Sequence, residues 1–257
     1  MLSTIVVHLD DSPRCAARMQ CAAQLASTHR AQLIGLAAPS IGRSPSANAQ
    51  ASIESLTSAF DRGAVELQLP QAKSRRDDRP IDQALAEFAL ACDLVVMGQD
   101  ESEDPFPGLV QRVLLRGGCP VLMIPSRGEP IRLVRRVMIA WDGSRAASRS
   151  ARDALPLLAK AEEVHLVCLQ RSQSPVVSRL QLNDVRHWLA RHRVDVRLHW
   201  EPVNDDIGEE LLLRAKRLQA DLVVMGGYGH SPLAEALFGG VTRTLLRRTH
   251  VPLFLSH

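Results

Sequence analysis

The sequence predicts an α/β protein built from two tandem domains, each a doubly wound parallel sheet. The first observation is a repeat: the hexapeptide DLVVMG occurs at residues 93–98 and again at residues 221–226. The second is the alternation of short apolar runs with amphipathic stretches in both halves, which is typical of strands and helices that follow one another in a parallel sheet. The length of 257 residues allows one large domain or two of about 130, and the repeat decides for two.

The two copies are offset by a nearly constant number of residues. The hexapeptides lie 128 residues apart, whereas matching segments before and after them lie 132 apart, so the first copy has lost four residues just after its hexapeptide. The segment 126–130 is polar and contains Gly and Pro, as domain linkers do. We therefore expect an N-terminal domain at 1–128 and a C-terminal domain at 132–257. The segments that match at the larger offset are 5–12 with 137–144 and 119–124 with 251–256.

Each copy predicts five strands and four helices. Runs such as VMIAW and LVVMG are apolar throughout, as expected for strands whose two faces are both covered by helices. Ligands bind at the carboxyl ends of the strands in such a sheet, so residues 142–144 and the chain after Gly226 should border one crevice. In the second copy the predicted strands are 135–141, 163–169, 194–200, 221–226 and 251–255, the predicted helices are 146–160, 178–192, 206–219 and 240–248, and the first copy repeats this order from 4 to 124.

A glycine-rich loop follows the fourth predicted strand of the second copy. Four of its glycines let the backbone turn sharply and approach a ligand closely, which leaves amide N–H groups free to bind an anion. The helix predicted from residue 240 adds its own free N–H groups and the positive end of its dipole. A triphosphate fits such a site, and the Thr242 hydroxyl would add a further donor. These glycines are Gly226, Gly229, Gly239 and Gly240.

With this loop the second copy resembles the universal stress protein family. ATP-binding members carry Gly, two residues, Gly, nine residues, Gly and then Ser or Thr after the fourth strand, and Gly226, Gly229 and Gly239 match that spacing. An Asp at the end of strand 1, followed by Gly-Ser, is the other family feature, and residues 142–144 supply it. The resemblance implies a Rossmann-like, HUP-type domain with strand order 3-2-1-4-5 that binds ATP, with or without Mg²⁺.

The resemblance also implies roles for single residues. Asp142 would contact the adenosine portion, Ala140 and Met225 would line the base pocket, and the loop would take the phosphates. His230, inside the loop, either reaches a phosphate or is exposed to solvent. Gly240 stands where the family prefers Ser or Thr, which removes one hydroxyl at a cost of about 0.5–1.5 kcal/mol. The predicted binding residues are Ala140, Asp142, Gly143, Ser144, Met225, Gly226, Gly229, His230, Gly239, Gly240, Val241 and Thr242.

The first copy lacks most of this loop. After Gly98 it reads QDESEDPFPG, in which four carboxylates within five residues would repel a triphosphate. Pro105 and Pro107 remove N–H donors, and Asp11 replaces the glycine that would follow Asp10. We interpret this copy as structural, with a solvated acidic loop; a divalent metal site in that loop is the alternative.

The sequence favours a binding protein over a fast enzyme. The loop lacks the lysine of a GK[ST] motif, and neither a general base nor a set of metal ligands is evident. We therefore predict a regulatory or stress-responsive ATP-binding protein, whose enzyme activity is at most weak ATP hydrolysis. A scaffold of the same fold that binds no nucleotide, and a slow ATPase or small-molecule transferase, are the alternatives.

The composition limits which classes of partner and which cellular location we expect for this protein. The formal charge of +3 comes from 31 basic and 28 acidic residues interspersed along the chain, too weak a bias for a nucleic-acid-binding protein. No apolar stretch of about 18 residues and no signal peptide are present, so we expect no membrane association and a cytoplasmic location. Family members pair through strand 5, which implies an intramolecular pseudo-dimer between residues 121–124 and 253–255; a further homodimer is left open.

The pattern of cysteines in the sequence carries little information about function. Five is an odd number, each cysteine lies in an apolar run, and no CxxC pair occurs. Buried free thiols are the favoured interpretation, ahead of a redox or metal role. The residues are Cys15, Cys21, Cys92, Cys119 and Cys168.

Overall fold

The chain consists of two compact units, Met1–Pro130 and Ile131–His257. The structure is a computed structural model. It describes residues 1–41, 47–100, 108–128, 134–171, 177–204, 206–228 and 240–257. In the described ranges each unit contains five strands, and the two units repeat the same order of strands along the chain.

The N-terminal unit alternates its strands with helices. The central pair is β1 and β4, in which Ile5 is the parallel register partner of Leu94. The strands are β1 (Thr4–His8), β2 (Gln32–Ala37), β3 (Ala72–Arg76), β4 (Leu94–Gly98) and β5 (Val121–Ile124), and the helices are α1 (Cys15–His29), α2 (Ala47–Glu66), α3 (Ile81–Phe88) and α4 (Leu109–Arg116).

In its described residues the C-terminal unit repeats this order and has one further short helix, α6 (Leu155–Leu158). Among the helices of both described units, none combines the length and the apolar character that crossing a membrane requires. The strands are β6 (Arg136–Ala140), β7 (Glu163–Arg171), β8 (Arg197–Val203), β9 (Leu222–Gly226) and β10 (Leu253–Ser256), and the helices are α5 (Arg145–Asp153), α6 (Leu155–Leu158), α7 (Arg179–Arg191), α8 (Ile207–Arg217) and α9 (Val241–Arg248).

The strand order confirms the predicted topology in both units. It is β3-β2-β1-β4-β5 in the N-terminal unit and β8-β7-β6-β9-β10 in the C-terminal unit, which is the order 3-2-1-4-5 in each case. The pairings between these neighbours are parallel. The connections change direction between the first and fourth strands, so the carboxyl ends of β1 and β4, and of β6 and β9, border the crevice where this topology binds ligands.

The core of each unit lies around the apolar central strands. Val6 and Val95 of the N-terminal unit and Leu166 and Val224 of the C-terminal unit are completely buried. Such strands are apolar along their whole length because helices cover both faces of the sheet. Burial of each side chain of this kind stabilises the fold by about 1.5–3 kcal/mol.

The aspartate that opens each repeated hexapeptide holds the start of the neighbouring strand. In the N-terminal unit the Asp93 carboxylate accepts hydrogen bonds from the N–H groups of Ser3 and Thr4, at 2.7 and 2.8 Å. In the C-terminal unit the Asp221 carboxylate accepts from three consecutive N–H groups, those of residues 134–136, at 2.9–3.1 Å. The repeat therefore preserves a structural anchor at the amino ends of the strands, away from the crevice.

The prediction of one continuous helix over 146–160 is wrong. The structure divides it into α5 and α6, which meet at Ala154. Pro156, in the first turn of α6, has no N–H and cannot donate the hydrogen bond that would continue α5. The Leu158 N–H instead donates to the Ala154 carbonyl at 2.9 Å, so a new short helix starts there.

The strand predicted at 194–200 starts three residues later, as β8. Arg193 has a φ of 62°, and the Val194 N–H donates to the Leu189 carbonyl at 3.0 Å. The first residues of the predicted strand therefore close the end of α7 instead. The strand then runs through Pro202, which is tolerated because β8 is an end strand in the order of its unit.

Candidate functional site

The two residues predicted to line a base pocket lie side by side at the crevice. Ala140, the last residue of β6, is the register partner of Met225 in β9. Ala140 is 9% exposed and Met225 is 4% exposed, so both are nearly closed to water. They form a small apolar surface at the carboxyl ends of the two central strands.

Gly226 ends β9 directly against the first turn of α5. A Cβ at this position would lie 2.5 Å from the Ala147 nitrogen and 2.7 Å from the Ala146 carbonyl carbon, closer than such atoms can approach. A glycine is therefore required where the strand passes the start of the helix. This contact brings the end of β9 next to the turn that follows β6.

That turn is formed by Asp142, Gly143 and Ser144. The Ser144 N–H donates to Asp142 Oδ1 at 2.9 Å, and Ser144 Oγ accepts from the Ala147 N–H at 3.1 Å, which caps α5. Gly143 has a φ of 80°, a left-handed conformation that residues with side chains avoid. Asp142 is exposed, and no described residue donates a hydrogen bond to its Oδ2. One carboxylate oxygen is thus available to a ligand.

The loop after β9 is described at its two ends. The Gly227 N–H donates to the Ser256 carbonyl at 2.9 Å. Tyr228 has a φ of 56° and is 7% exposed, and its N–H donates to Thr242 Oγ1 at 3.4 Å. The buried Thr242 hydroxyl therefore joins the two ends of the loop, a bond for which the sequence gives no signal. The predicted residues Gly229, His230 and Gly239 lie outside the described residues.

The loop returns to the crevice at Gly240, just before α9. Gly240 is extended, with a φ of −60° and a ψ of 143°, and it has no side chain to cap the helix. The first N–H groups of an α-helix have no acceptor within the helix. Among the described residues, none accepts a hydrogen bond from the N–H of Val241 or of Thr242. These donors and the positive end of the helix dipole favour an anion.

The corresponding position of the N-terminal unit holds a carboxylate of the chain itself. Leu109, the first residue of α4 and the counterpart of Val241, donates its N–H to Asp100 Oδ2 at 2.8 Å. The anion site at this helix N-terminus is therefore already filled. The rest of the acidic loop, residues 101–107, lies outside the described residues, so its interpretation as solvated or metal-binding stays a prediction.

A buried arginine fills the crevice between β1 and β4. Arg18 of α1 is 1% exposed, and it donates from Nε to the His8 carbonyl at 2.8 Å and from Nη2 to Asp10 Oδ1 at 2.6 Å. A Cβ on Gly98 would overlap Arg18 Nη1, so the guanidinium lies against the end of β4. The small side chain of Ser150 occupies the equivalent position of the C-terminal unit, 132 residues later. The two crevices therefore differ in the space that they leave.

Nothing in the local sequence pattern singles out Arg18 as the residue that closes this crevice. A comparison of the two copies at the 132-residue offset could have found it. That comparison aligns Arg18 with Ser150 and His8 with Ala140. In both cases the larger, polar side chain belongs to the N-terminal unit.

Burial and the neighbouring charges both shift the pKa values of His8 and Asp10, the two titratable groups beside Arg18. Burial lowers the pKa of His8 to about 4, although Asp10 raises it; Arg18 lowers it further. Burial tends to raise the pKa of Asp10, but Arg18, His8 and a hydrogen bond from Ser12 together bring it below its ordinary value. At neutral pH, His8 is therefore neutral and Asp10 is ionised beside Arg18.

We expect His8 to make the protein less stable as the pH falls from 6.5 to 4. The unfolded chain binds a proton at this histidine near pH 6.5 and the folded chain only near pH 4, so acid favours unfolding by up to about 3 kcal/mol. Urea unfolding at a series of pH values measures the effect. His8→Ala, which copies Ala140, should reduce the pH dependence, whereas His187→Ala, at an exposed position, should not. Equal pH dependence in the two variants would contradict the assignment.

Comparison with known proteins relates the fold to a family. Residues 134–257 match the universal stress protein family. A universal stress protein from Archaeoglobus fulgidus DSM 4304 has a similar structure, with a TM-score of 0.78 and 15% identity over 98% of this chain and 95% of that chain. A functionally unknown protein from Pseudomonas aeruginosa PAO1 gives a TM-score of 0.63 and 17% identity over 99% of this chain and 92% of that chain. No curated protein matches the sequence.

At these identities the likeness to the solved structures concerns the fold. The family match covers the C-terminal unit, and the N-terminal unit repeats the same strand order. This two-unit architecture fits the tandem type of the family. The C-terminal unit therefore contains, at residues 134–257, a domain of the universal stress protein family.

Proposed function

We propose that the C-terminal unit binds ATP and that the protein is a regulatory, stress-responsive binding module of the cytoplasm. The observation that carries this proposal is the difference between two helix N-termini. The Val241 N–H has no acceptor among the described residues, whereas its counterpart, the Leu109 N–H, is bound by Asp100. A phosphate group would supply the acceptor that the C-terminal unit lacks.

The described crevice residues, together with the predicted loop, would give a contact for each part of ATP. Asp142 would bind the adenosine portion through the carboxylate oxygen that no described residue occupies. Ala140 and Met225, nearly buried and adjacent, would contact the base. The turn and the loop would surround the phosphates with Gly143, Ser144, Gly226, Gly229, His230, Gly239, Gly240, Val241 and Thr242.

The charge of the two units also supports a polyanion in the C-terminal unit. Residues 131–257 contain 19 Lys and Arg against 13 Asp and Glu, a formal charge of +6. Residues 1–130 contain 12 Lys and Arg against 15 Asp and Glu, a formal charge of −3. A positive field raises the local concentration of a polyanion, and a negative field lowers it.

The direct test is the nucleotide content of the purified protein. Denatured protein should release adenine nucleotide, and nucleotide-free protein should gain about 2.7 kcal/mol of stability at an ATP concentration 100 times the Kd. The Gly229→Asp variant should release none and show no gain, because its carboxylate would repel the phosphates. An equal thermal shift with ATP in both proteins would remove the loop from the site.

We propose that hydrolysis is slow or absent. Within the described ranges no group of three or more His, Cys, Asp or Glu side chains is placed to hold a metal ion. A Mg²⁺ ion that accompanies ATP would then be held chiefly through the phosphates. Release of phosphate from Mg²⁺-ATP over hours, at a rate that depends on protein concentration, would favour the slow ATPase.

A scaffold that binds no nucleotide is the second candidate. Two observations favour it: Arg18 closes the crevice of the N-terminal unit, and the Thr242 hydroxyl already accepts a hydrogen bond from Tyr228. A scaffold of this kind would contain no nucleotide after purification. It would also show no thermal shift with ATP.

The domain organisation of the chain and its macromolecular partners are part of the proposal. We propose functional domains at 1–128 and 132–257, paired within one chain through residues 121–124 and 253–255, with no nucleic-acid or membrane partner. The family's pairing of single domains through strand 5 supports this arrangement. A mass of 28.2 kDa, measured by sedimentation equilibrium, would agree with pairing inside one chain. Twice that mass would indicate a further homodimer.

A further inference from the structure

Two cysteines that are distant in sequence face each other in the N-terminal unit. Cys92 Sγ lies 3.5 Å from Cys119 Sγ. Cys92 precedes β4 and Cys119 precedes β5, and these neighbouring strands are parallel, with Val95 opposite Val121. The pairing of the two strands therefore places the two thiols next to each other.

Backbone hydrogen bonds hold the two turns that carry these thiols. The Gly118 N–H donates to the Ala89 carbonyl at 3.1 Å, and the Val95 N–H donates to the Pro120 carbonyl at 3.1 Å. Both cysteines lie outside helices and strands, so their side chains can rotate without breaking a regular element. A disulfide has an S–S distance of about 2.05 Å, which the two sulfurs reach by an approach of about 1.5 Å.

The other three cysteines, like Cys119, are less accessible than Cys92. Cys15, Cys21 and Cys168 are buried. Burial raises the pKa of Cys21 to about 12, and burial together with the charge of Asp142 raises the pKa of Cys168 to about 11. The thiolate is the reactive form, so these two residues react slowly near neutral pH. Cys92 differs from all three because it is only partly buried.

We propose that Cys92 and Cys119 form a dithiol site that a hydroperoxide converts into an intramolecular disulfide. The more accessible Cys92 thiolate attacks the peroxide oxygen, and with hydrogen peroxide the O–O bond breaks to give a sulfenic acid and water. Cys119 then attacks the sulfenic sulfur, the S–S bond forms and a second water leaves. Two thiols are oxidised by two electrons, one peroxide is reduced, and a reducing thiol pool restores the pair.

The thiol pair and the proposed nucleotide crevice belong to different units of the chain. Cys92 and Cys119 are at the amino ends of β4 and β5, whereas the proposed ATP site is in the other unit, at carboxyl ends of strands. The disulfide would close a loop between positions 92 and 119 and so restrict the unfolded chain. The thiol pair shares no residue with the proposed ATP site, so disulfide formation can be measured whether or not the protein binds ATP.

Thiol counting and peptide mapping test the proposal in the unmodified protein. Denatured and alkylated with N-ethylmaleimide, the reduced protein should carry five adducts, and protein first treated with hydrogen peroxide should carry three. Trypsin should release a peptide pair joined by a disulfide, residues 77–112 with residues 117–127. Five adducts after peroxide, a disulfide between other cysteines, or a disulfide between two chains would overturn the proposal.

Cysteine variants distinguish the thiol that reacts with the peroxide from the thiol that then forms the disulfide. Cys119→Ala should leave a sulfenic acid on Cys92 that dimedone traps, and Cys92→Ala should form no disulfide and trap no dimedone. Cys15→Ala is the matched control and should form the disulfide at the rate of the unmodified protein. The contrary result is that dimedone labels Cys119 in the Cys92→Ala variant as fast as it labels Cys92 in the Cys119→Ala variant. That result would overturn the assignment of Cys92 as the thiol that reacts with the peroxide.

Discussion

Replacing Gly240 by aspartate is expected to weaken ATP binding at least tenfold without loss of stability. Aspartate is a favoured residue at the position before a helix, where its carboxylate accepts hydrogen bonds from the first N–H groups. The carboxylate would therefore occupy the donors that we assign to a phosphate, as Asp100 does before α4. Two charges about 4 Å apart repel by about 1–4 kcal/mol near a protein surface, and 1.4 kcal/mol is tenfold in affinity. Calorimetric titration with ATP measures the change.

The matched control is Gly240→Asn, which has nearly the same shape as the aspartate but no charge. It should cap α9 and keep ATP affinity within about fivefold of the unmodified protein, since one neutral hydrogen bond is worth about 1 kcal/mol. The thermal midpoints without ATP should be equal to or slightly above that of the unmodified protein in both variants. Equal loss of affinity in both variants, or none in either, would show that charge at this position does not govern binding.

Replacing Arg18 by methionine is expected to destabilise the protein by about 2–4 kcal/mol. Methionine keeps the length of the buried stem but removes the guanidinium that binds the His8 carbonyl and Asp10. The His8 carbonyl and the Asp10 carboxylate then lose the hydrogen bonds from the guanidinium, although Ser12 still donates to Asp10. The Asp10 side chain is 30% exposed, which places the expected cost below that of a fully buried pair. Urea unfolding at pH 7 measures the change in the free energy of unfolding.

Arg76→Met is the control for the loss of an arginine as such. Arg76 pairs with Glu54 at 3.0 Å, but both side chains are more than half exposed, so the expected change is within about 0.5 kcal/mol. The difference between the two variants isolates the effect of burial. If Arg18→Met lowers the free energy of unfolding no more than Arg76→Met does, the stability of the N-terminal unit does not depend on the Arg18 guanidinium.

Much of the fold could be predicted because it depends on local patterns that occur twice. The repeated hexapeptide and the continuous apolar runs predict the strands, and the family resemblance implies their order, which the structure confirms in both units. The two wrong element boundaries, in the helix predicted at 146–160 and the strand predicted at 194–200, occur where one residue interrupts the regular backbone conformation. Pro156 ends the hydrogen-bonding pattern of α5, and Arg193, in a left-handed conformation, extends the end of α7 into the predicted strand.

The candidate site was predictable where its residues are consecutive. Residues 142–144 were expected at the crevice because they follow the first strand of their copy, and after β6 they form a turn in which the Ser144 N–H donates to Asp142 and Gly143 has a positive φ. The bond between Tyr228 and Thr242 was not predictable, because the loop must first return to the sheet. The same holds for the contact between Cys92 and Cys119, which are 27 residues apart.

The sequence by itself determined two copies of one domain and a glycine-rich loop in only one of them, whereas the order of the strands was implied by the family resemblance. The tertiary structure decided what each crevice contains. It places the Arg18 guanidinium and the Asp100 carboxylate in the N-terminal crevice, and it leaves the first N–H groups of α9 without an acceptor among the described residues. The physical reason is that strand and helix patterns follow from neighbouring residues, whereas the filling of a crevice depends on charges and volumes that only the folded chain brings together.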